Sequence, residues 1–288
     1  MPRRKPSTAP RPTRAPRRHA RPGRDSKPRA TRNRADSEAL WLYGGHAVSE
    51  ALANPRRKLR RLLSTAEAVE TAETALARCR GQGAGPPRLE QVERDALAAL
   101  LPPGAVHQGL ALAAAPLAQP GLPELLRDLA AAETGAQRLS LVLLDQVTDP
   151  QNVGAVLRSA AAFGAAAVIT TWRHAPPESG ALAKAASGAF EHVPYVQVTN
   201  LVRAMERLRA EGFWLVGLAS EGEQNLAEAS RGERLGLVLG AEGSGLRHLV
   251  RATCDQLVRL PTQGPIDQLN VSNAAAVALY EILGRAGR

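Results

Sequence analysis

Cysteine is nearly missing from this 288-residue chain: it has two, Cys79 and Cys254, far apart and in no CxxC pair. That excludes a zinc ribbon and a disulfide framework. Aromatic residues make up only 3% of the chain, too few for a nucleic-acid surface built from rows of stacking rings. No uninterrupted apolar run approaches the roughly 18 residues of a membrane span. The N-terminus has no apolar core of the signal-peptide kind, which predicts a soluble chain in a reducing cytoplasm. The six histidines form no pair at metal-ligand spacing, so no metal is expected.

Acid is also missing from one end. Residues 1–37 hold 13 Lys/Arg against two acids, whereas the other 251 residues hold 24 bases and 25 acids. The formal net charge of +10 is therefore a property of the tail. The same 37 residues contain seven prolines and no Leu, Ile, Val, Phe, Trp or Tyr, so they cannot bury enough apolar surface to offset ordering and are expected to be disordered. A dense basic arm of this kind suits polyanion binding through counterion release. The plainer alternative is a solubilising extension.

From residue 38 the pattern changes. Short apolar runs at 40–43, 59–64 and 107–113 alternate with helical stretches at 46–54, 66–80 and 93–101, which predicts a small α/β module over 38–114. Residues 115–138, beginning with a proline-rich stretch, are expected to link it to a second module. Over 139–288 the alternation is clearer. Strands are expected at 139–144, 165–171, 195–198, 213–219, 235–239 and 256–260, with helices between them. The helix at 200–210 is the cleanest, with Asn200 as N-cap, Leu201, Met205 and Leu208 on one face, and Gly212 at its stop. Continuous apolar strands joined by helices imply a parallel sheet covered on both faces.

Ligands of such sheets bind at loops beyond the carboxyl ends of the strands, and three loops stand out. The first runs from Asp145 through Asn152-Val-Gly-Ala-Val-Leu-Arg158, with Asn152 at an apparent N-cap position, Gly154 allowing close backbone approach, and Arg158 set among small apolar residues, where it is expected to have a partner. The second is Leu239-Gly-Ala-Glu-Gly-Ser-Gly-Leu-Arg247, which is neither a Walker A nor a GxGxxG loop and carries the lone acid Glu242. The third runs from Leu260-Pro-Thr262 to Leu269-Asn-Val-Ser-Asn273, where Asn270, Ser272 and Asn273 crowd one helix start. One of these three suffices to cap the helix; the other two are surplus. His107 is expected to make a local loop hydrogen bond, Cys254 to be a small buried hydrophobe, and Lys184 to lie on a solvated helix face.

The strings NVGAVLR (152–158), LGAEGSGL (239–246), LPT (260–262) and LNVSNAAA (269–276), in that order, resemble the SpoU branch of the SPOUT RNA methyltransferases. The resemblance covers about residues 139–284. Residues 43–48 (YGGHAV) and 106–110 (VHQGL) resemble the small ribosomal-protein-like RNA-binding domain that precedes the methyltransferase domain in members acting on a guanosine of 23S rRNA. Gly45, where a bulkier residue is usual, and the basic tail depart from that pattern. The resemblance implies a parallel-sheet domain whose C-terminal segment threads a deep trefoil knot, otherwise a rare topology. It also implies S-adenosylmethionine as cofactor, RNA (ribosomal first) as partner, and a homodimer with no membrane association.

By the same resemblance, the catalytic set is Arg158, Asn152, Glu242, Asn270 and Ser272, and the cofactor lies on Gly240, Leu260 and Leu269. The reaction is methyl transfer to a ribose 2′-hydroxyl, with Arg158 stabilising the developing alkoxide rather than acting as a literal base, since free arginine has a pKa above about 12. The alternatives are a tRNA ribose methyltransferase and a non-catalytic ribosome-assembly factor of the same fold. A dinucleotide-dependent oxidoreductase is disfavoured, because no strand leads into GxGxxG with an acid about 20 residues later.

Overall fold

The computed structural model describes residues 40–79, 85–132, 138–229, 232–265 and 268–284. The expected basic tail, 1–37, lies outside the described residues.

Two sheets organise the chain. The first has four strands, β1 (Leu40–Tyr43), β2 (Leu59–Ser64), β3 (Leu89–Gln91) and β4 (Leu110–Ala114), in the order β1-β4-β2-β3. β4 is antiparallel to both β1 and β2, and β3 is parallel to β2. Helices α1 (Gly45–Ala53), α2 (Val69–Ala77) and α3 (Arg94–Ala98) complete this module. Its core gathers Leu42, Val48, Leu52, Leu62, Leu110 and Leu112.

The stretch expected to be a linker carries a helix, α4 (Leu122–Ala132). Leu122, Leu125, Leu126 and Leu129 recur at the spacing of one helical face and pack on the second sheet.

That second sheet is wholly parallel. Its strands are β5 (Leu139–Asp145), β6 (Ala167–Thr171), β7 (Tyr195–Val198), β8 (Trp214–Leu218), β9 (Gln224–Asn225), β10 (Arg234–Gly240) and β11 (Gln256–Arg259), in the order β7-β6-β5-β10-β8-β11-β9. The two-residue β9 is too short to leave a sequence signal. Helices α5 (Pro150–Phe163), α6 (Gly180–Ala186), α7 (Leu201–Ala210), α8 (His248–Thr253) and α9 (Val271–Leu279) connect the strands.

Strand alternation divides the core in two. Leu141 and Leu143 of β5 face α4 and α7, packing with Leu126, Met205 and Leu208, whereas Val142 and Leu144 pack with Val153, Val156 and Leu157 of α5 and Ala275 and Ala278 of α9. A strand covered on both faces must be largely apolar, as β5 is apart from the buried Ser140 and its terminal Asp145. Glycine is required at 154: a Cβ there would stand 2.4 Å from Ala185 Cβ and 2.8 Å from the Ala186 backbone nitrogen, so α5 and α6 could not approach as they do.

Strand order reverses between β5 and β10. The chain goes outward from β5 through β6 to β7, then crosses to the opposite half of the sheet. This is the position at which parallel α/β sheets open their ligand crevices.

Candidate functional site

The three singled-out loops meet at the carboxyl end of this sheet, around the reversal point. In the first, Asn152 is not the helix cap. Asp149 caps α5, its Oδ1 accepting from the Gln151 N–H at 2.9 Å, and Pro150 occupies the first turn. Proline has no N–H to lose and a preset φ, so it is placed best there. That sets Asn152 inside the first turn and leaves its amide free to work across the loops.

Four of the five expected catalytic residues form one network. The Asn152 Nδ2 donates to Glu242 Oε1 at 2.9 Å, and Asn270 Nδ2 donates to Asn152 Oδ1 at 3.0 Å and also to Glu242 Oε1. Asn270 caps α9 by accepting from the Ser272 N–H at 2.8 Å, and it also accepts from Ser272 Oγ at 2.5 Å. Its side chain therefore does two things at once: its oxygen ends a helix while its nitrogen holds a carboxylate. Asn273, the third member of that cluster, is exposed and outside the network.

Arg158 is not part of it. It is exposed on α5, and among the described residues it has no hydrogen-bond or ion-pair partner, contrary to the expectation that it would be partnered. Six residues separate it from Asn152. At 3.6 residues per turn that places the two on different faces of α5.

Beside the network is a cavity of about 360 Å³, within the range of small-molecule sites. All three expected cofactor positions, Gly240, Leu260 and Leu269, line it, together with Leu239 and Leu246 as apolar wall and Glu221 and Thr262 as polar groups. Gly240 is dictated by close approach: a Cβ there would lie 2.1 Å from the Gly245 carbonyl carbon, where the loop closes on itself through an Ala241–Gly245 bridge. The backbone at 240–246 thus lies open to the cavity. Apolar walls suit a nucleoside base, and the polar groups suit sugar hydroxyls and an amino-acid end. The residues present fit S-adenosylmethionine.

Sequence reasoning missed the clamp beneath the glycine loop. Asp145, fully buried at the end of β5, accepts from the Arg247 N–H at 2.9 Å and Nε at 2.8 Å, with Nη2 at 2.6 Å. It ties the far end of the glycine loop to the strand that feeds Asn152. The available signal was an acid ending an otherwise apolar strand. Cys254 is partly buried near this clamp, and burial, assisted by Asp255 and Asp145, pushes its thiol up to about 12.

One expectation is corrected by a contact between the two modules, and another is borne out within the first module. Lys184 is partly buried rather than on a fully solvated face: its Nζ donates to Gln108 Oε1 at 2.7 Å, beneath Gly44, and burial lowers its pKa. His107 is buried and accepts locally from the Gly109 N–H at 3.1 Å. A larger junction centres on Arg57, whose side chain is fully buried. It donates to Glu178 at 2.5 Å, to the Ala115 carbonyl at 3.0 Å and to both carboxylate oxygens of Glu191.

A parallel α/β sheet with a carboxylate–amide network and a nucleoside-sized cavity at its reversal point, joined to a small mixed-sheet module, is a fold that solved SpoU methyltransferases share. The SpoU Methyltransferase AviRb from Streptomyces viridochromogenes, solved in complex with the cofactor AdoMet, shares the fold at a TM-score of 0.68 and 22% identity, over 88% of this chain and 92% of that one. The sequence model of the SpoU rRNA Methylase family matches residues 140–280, and that for RNA 2'-O ribose methyltransferase substrate binding matches residues 41–120. The 23S rRNA (guanosine-2'-O-)-methyltransferase RlmB of Pseudomonas putida is 38% identical over 241 residues, 83% of this chain and 94% of its own length. Its counterpart in Escherichia coli K12 is 42% identical over 181 residues, 62% of this chain and 72% of its own. The chain belongs to the SpoU rRNA methylase family.

Proposed function

We propose that this protein transfers a methyl group from S-adenosylmethionine to the ribose 2′-hydroxyl of a guanosine in 23S rRNA. One observation carries the reading: Asn152, Glu242, Asn270 and Ser272, from three separate loops, converge beside the cavity lined by Gly240, Leu260 and Leu269. The relatives bearing that activity in their names favour ribosomal RNA over tRNA.

S-adenosylmethionine supplies an electrophilic methyl on a sulfonium, so the remaining task is to orient and activate a weakly nucleophilic hydroxyl. The amides of Asn152 and Asn270 hold Glu242 in place, where its carboxylate accepts a hydrogen bond from the ribose and fixes the direction of the attacking oxygen. Ser272 in turn fixes the amide of Asn270. Arg158 is the cation for the developing alkoxide, and the hydroxyl proton passes to bulk water. Its outward position in a single chain supports a homodimer in which two copies complete each site. The half-exposed Val277 of α9, the helix packed on α5, and Tyr280 just beyond its end suit such an interface.

The module over 38–114 grips the RNA, residues 139–288 carry the reaction, and the basic tail adds phosphate contacts. The strand order suits a C-terminal trefoil knot: the chain leaves β10, pairs β11 beyond β8, and returns to pack α9 on α5. Among the described residues no helix is long and apolar enough to cross a membrane, and action on ribosomal RNA fits a cytoplasmic site.

The test is single-turnover transfer of labelled methyl to protein-free 23S rRNA, beside calorimetric cofactor binding. Arg158→Ala should lower the rate about 10²–10³-fold and leave cofactor affinity within twofold. A wild-type rate in Arg158→Ala would refute its role, and absence of transfer by the wild-type protein would refute the function.

A further inference from the structure

A second, larger concavity lies on the other half of the same sheet edge. This groove of about 690 Å³ opens at the carboxyl ends of β5, β6 and β7, and its lining includes Gln146, Thr171, Arg173, Arg203, Arg247 and His248. It shares no lining residue with the cavity at Gly240. The two lie on either side of the Asp145–Arg247 clamp.

Three properties mark the groove as built for an anion. First, its cations outnumber its acids: Arg173, Arg203 and Arg247 face a single carboxylate, Glu206. Arg247 is already neutralised by Asp145. Arg173 and Arg203 are exposed, and neither forms an ion pair with a described residue. Second, Thr171 is only 6% exposed, and its Oγ1 has no hydrogen-bond partner. A buried hydroxyl left unpaired is destabilising, a cost that a ligand oxygen would remove. Third, Gln146 on the floor has a φ of +62°, a strained backbone of the kind found where ligands are held.

The rim adds an aromatic. Trp172, between two lining residues in the chain, stands 68% exposed, and Leu249 66%. In a chain with so few aromatics, an exposed tryptophan beside unpaired arginines offers a face for an unstacked base.

Resting on the methyltransferase reading above, we propose that this groove holds the RNA strand flanking the modified nucleotide. Arg173 and Arg203 each pair with a backbone phosphate, Thr171 Oγ1 donates to a phosphate oxygen, and Trp172 stacks on a neighbouring base. The clamp then divides the edge into a side for methyl transfer and a side for strand anchoring.

The experiment compares the full chain with Arg173→Ala/Arg203→Ala and with Thr171→Val, using protein-free 23S rRNA. For the double variant we expect KM for RNA to rise at least about tenfold, with kcat and cofactor affinity within about twofold. The slope of log affinity against log salt should flatten by about 1.4, at about 0.7 per phosphate on a single strand. Thr171→Val should keep or raise the melting temperature while weakening RNA binding, a split that a purely structural hydroxyl would not give. Wild-type KM and salt slope in the double variant would overturn the proposal. Should the wild-type protein transfer no methyl, the function above fails, and the salt slope still decides whether the groove binds RNA.

Discussion

Replacing Arg57 with alanine should cost this protein about 3–4 kcal/mol. The guanidinium has no exposed surface, and its partners are nearly as buried: the Glu178 and Glu191 side chains are 9% and 2% exposed. Breaking a buried pair by removing one member costs about 3–5 kcal/mol, because the other charge is left uncompensated. Two bonds remain to soften the loss: the Leu117 N–H still reaches Glu178 at 2.7 Å, and the Asn54 amide still reaches Glu191 at 2.7 Å. The lower part of the range therefore applies. Against a total stability of about 5–15 kcal/mol, and at about 2–4 °C per kcal/mol for a domain of this size, the melting temperature should fall by about 10 °C.

The loss should depend on pH in a definite direction. Burial already holds the Glu178 carboxyl above the usual carboxylate range, although Arg57 pulls it down. Without Arg57 the Glu178 carboxyl moves further up. A carboxyl whose folded pKa exceeds its unfolded value contributes stability below the unfolded value and loses it as pH rises through the folded one. The deficit of Arg57→Ala should accordingly be smaller near pH 5 than at pH 8. Urea denaturation at both pH values measures it. A deficit under about 1 kcal/mol, or one equal at the two pH values, would refute the buried-charge argument.

Gly240→Ala should unseat the glycine loop and weaken S-adenosylmethionine binding at least about tenfold, read by equilibrium dialysis, since its Cβ would meet the Gly245 backbone at 2.1 Å. Unchanged affinity would show that the loop can shift. At pH 8 the Cys254 thiol, pushed up to about 12, should be thiolate in only about one molecule in 10⁴. Mass spectrometry should therefore find it alkylated by iodoacetamide only on unfolding, and rapid native labelling would contradict that. Deleting residues 1–37 should leave the melting temperature nearly unchanged while flattening the salt dependence of RNA binding. An unaltered slope would make the tail a passive extension.

The sequence by itself determined the parallel sheet, because a strand buried on both faces must be largely apolar, and residues 139–144 are apolar at every position but Ser140. It determined the 201–210 helix down to its Asn200 cap, whose side chain accepts from the Arg203 N–H at 3.1 Å, because capping is chemistry between neighbours in the chain. Helix α4 was less legible: its period stands in Leu122, Leu125, Leu126 and Leu129, but the prolines just before it masked it and the stretch read as a linker.

Three loops were also legible as unusual, since surplus polar residues and glycines at strand ends need no partner to be noticed. Their meeting was not. Asn152 and Asn270 stand 118 residues apart in sequence and 3.0 Å apart in space, and only the strand order brings them together. The same holds for the Asp145–Arg247 clamp, for Arg57 with its two glutamates, and for the groove at Thr171. Local propensity is encoded residue by residue, whereas the partner of a buried charge or an amide is chosen by topology. Lys184 and Arg158 make the point in opposite directions: one looked solvated and is partly buried with Gln108 of the other module as partner, the other looked partnered and faces outward. A side chain's neighbours three or four residues away are set by the helix, but what lies across from that helix is set only when the whole chain has packed.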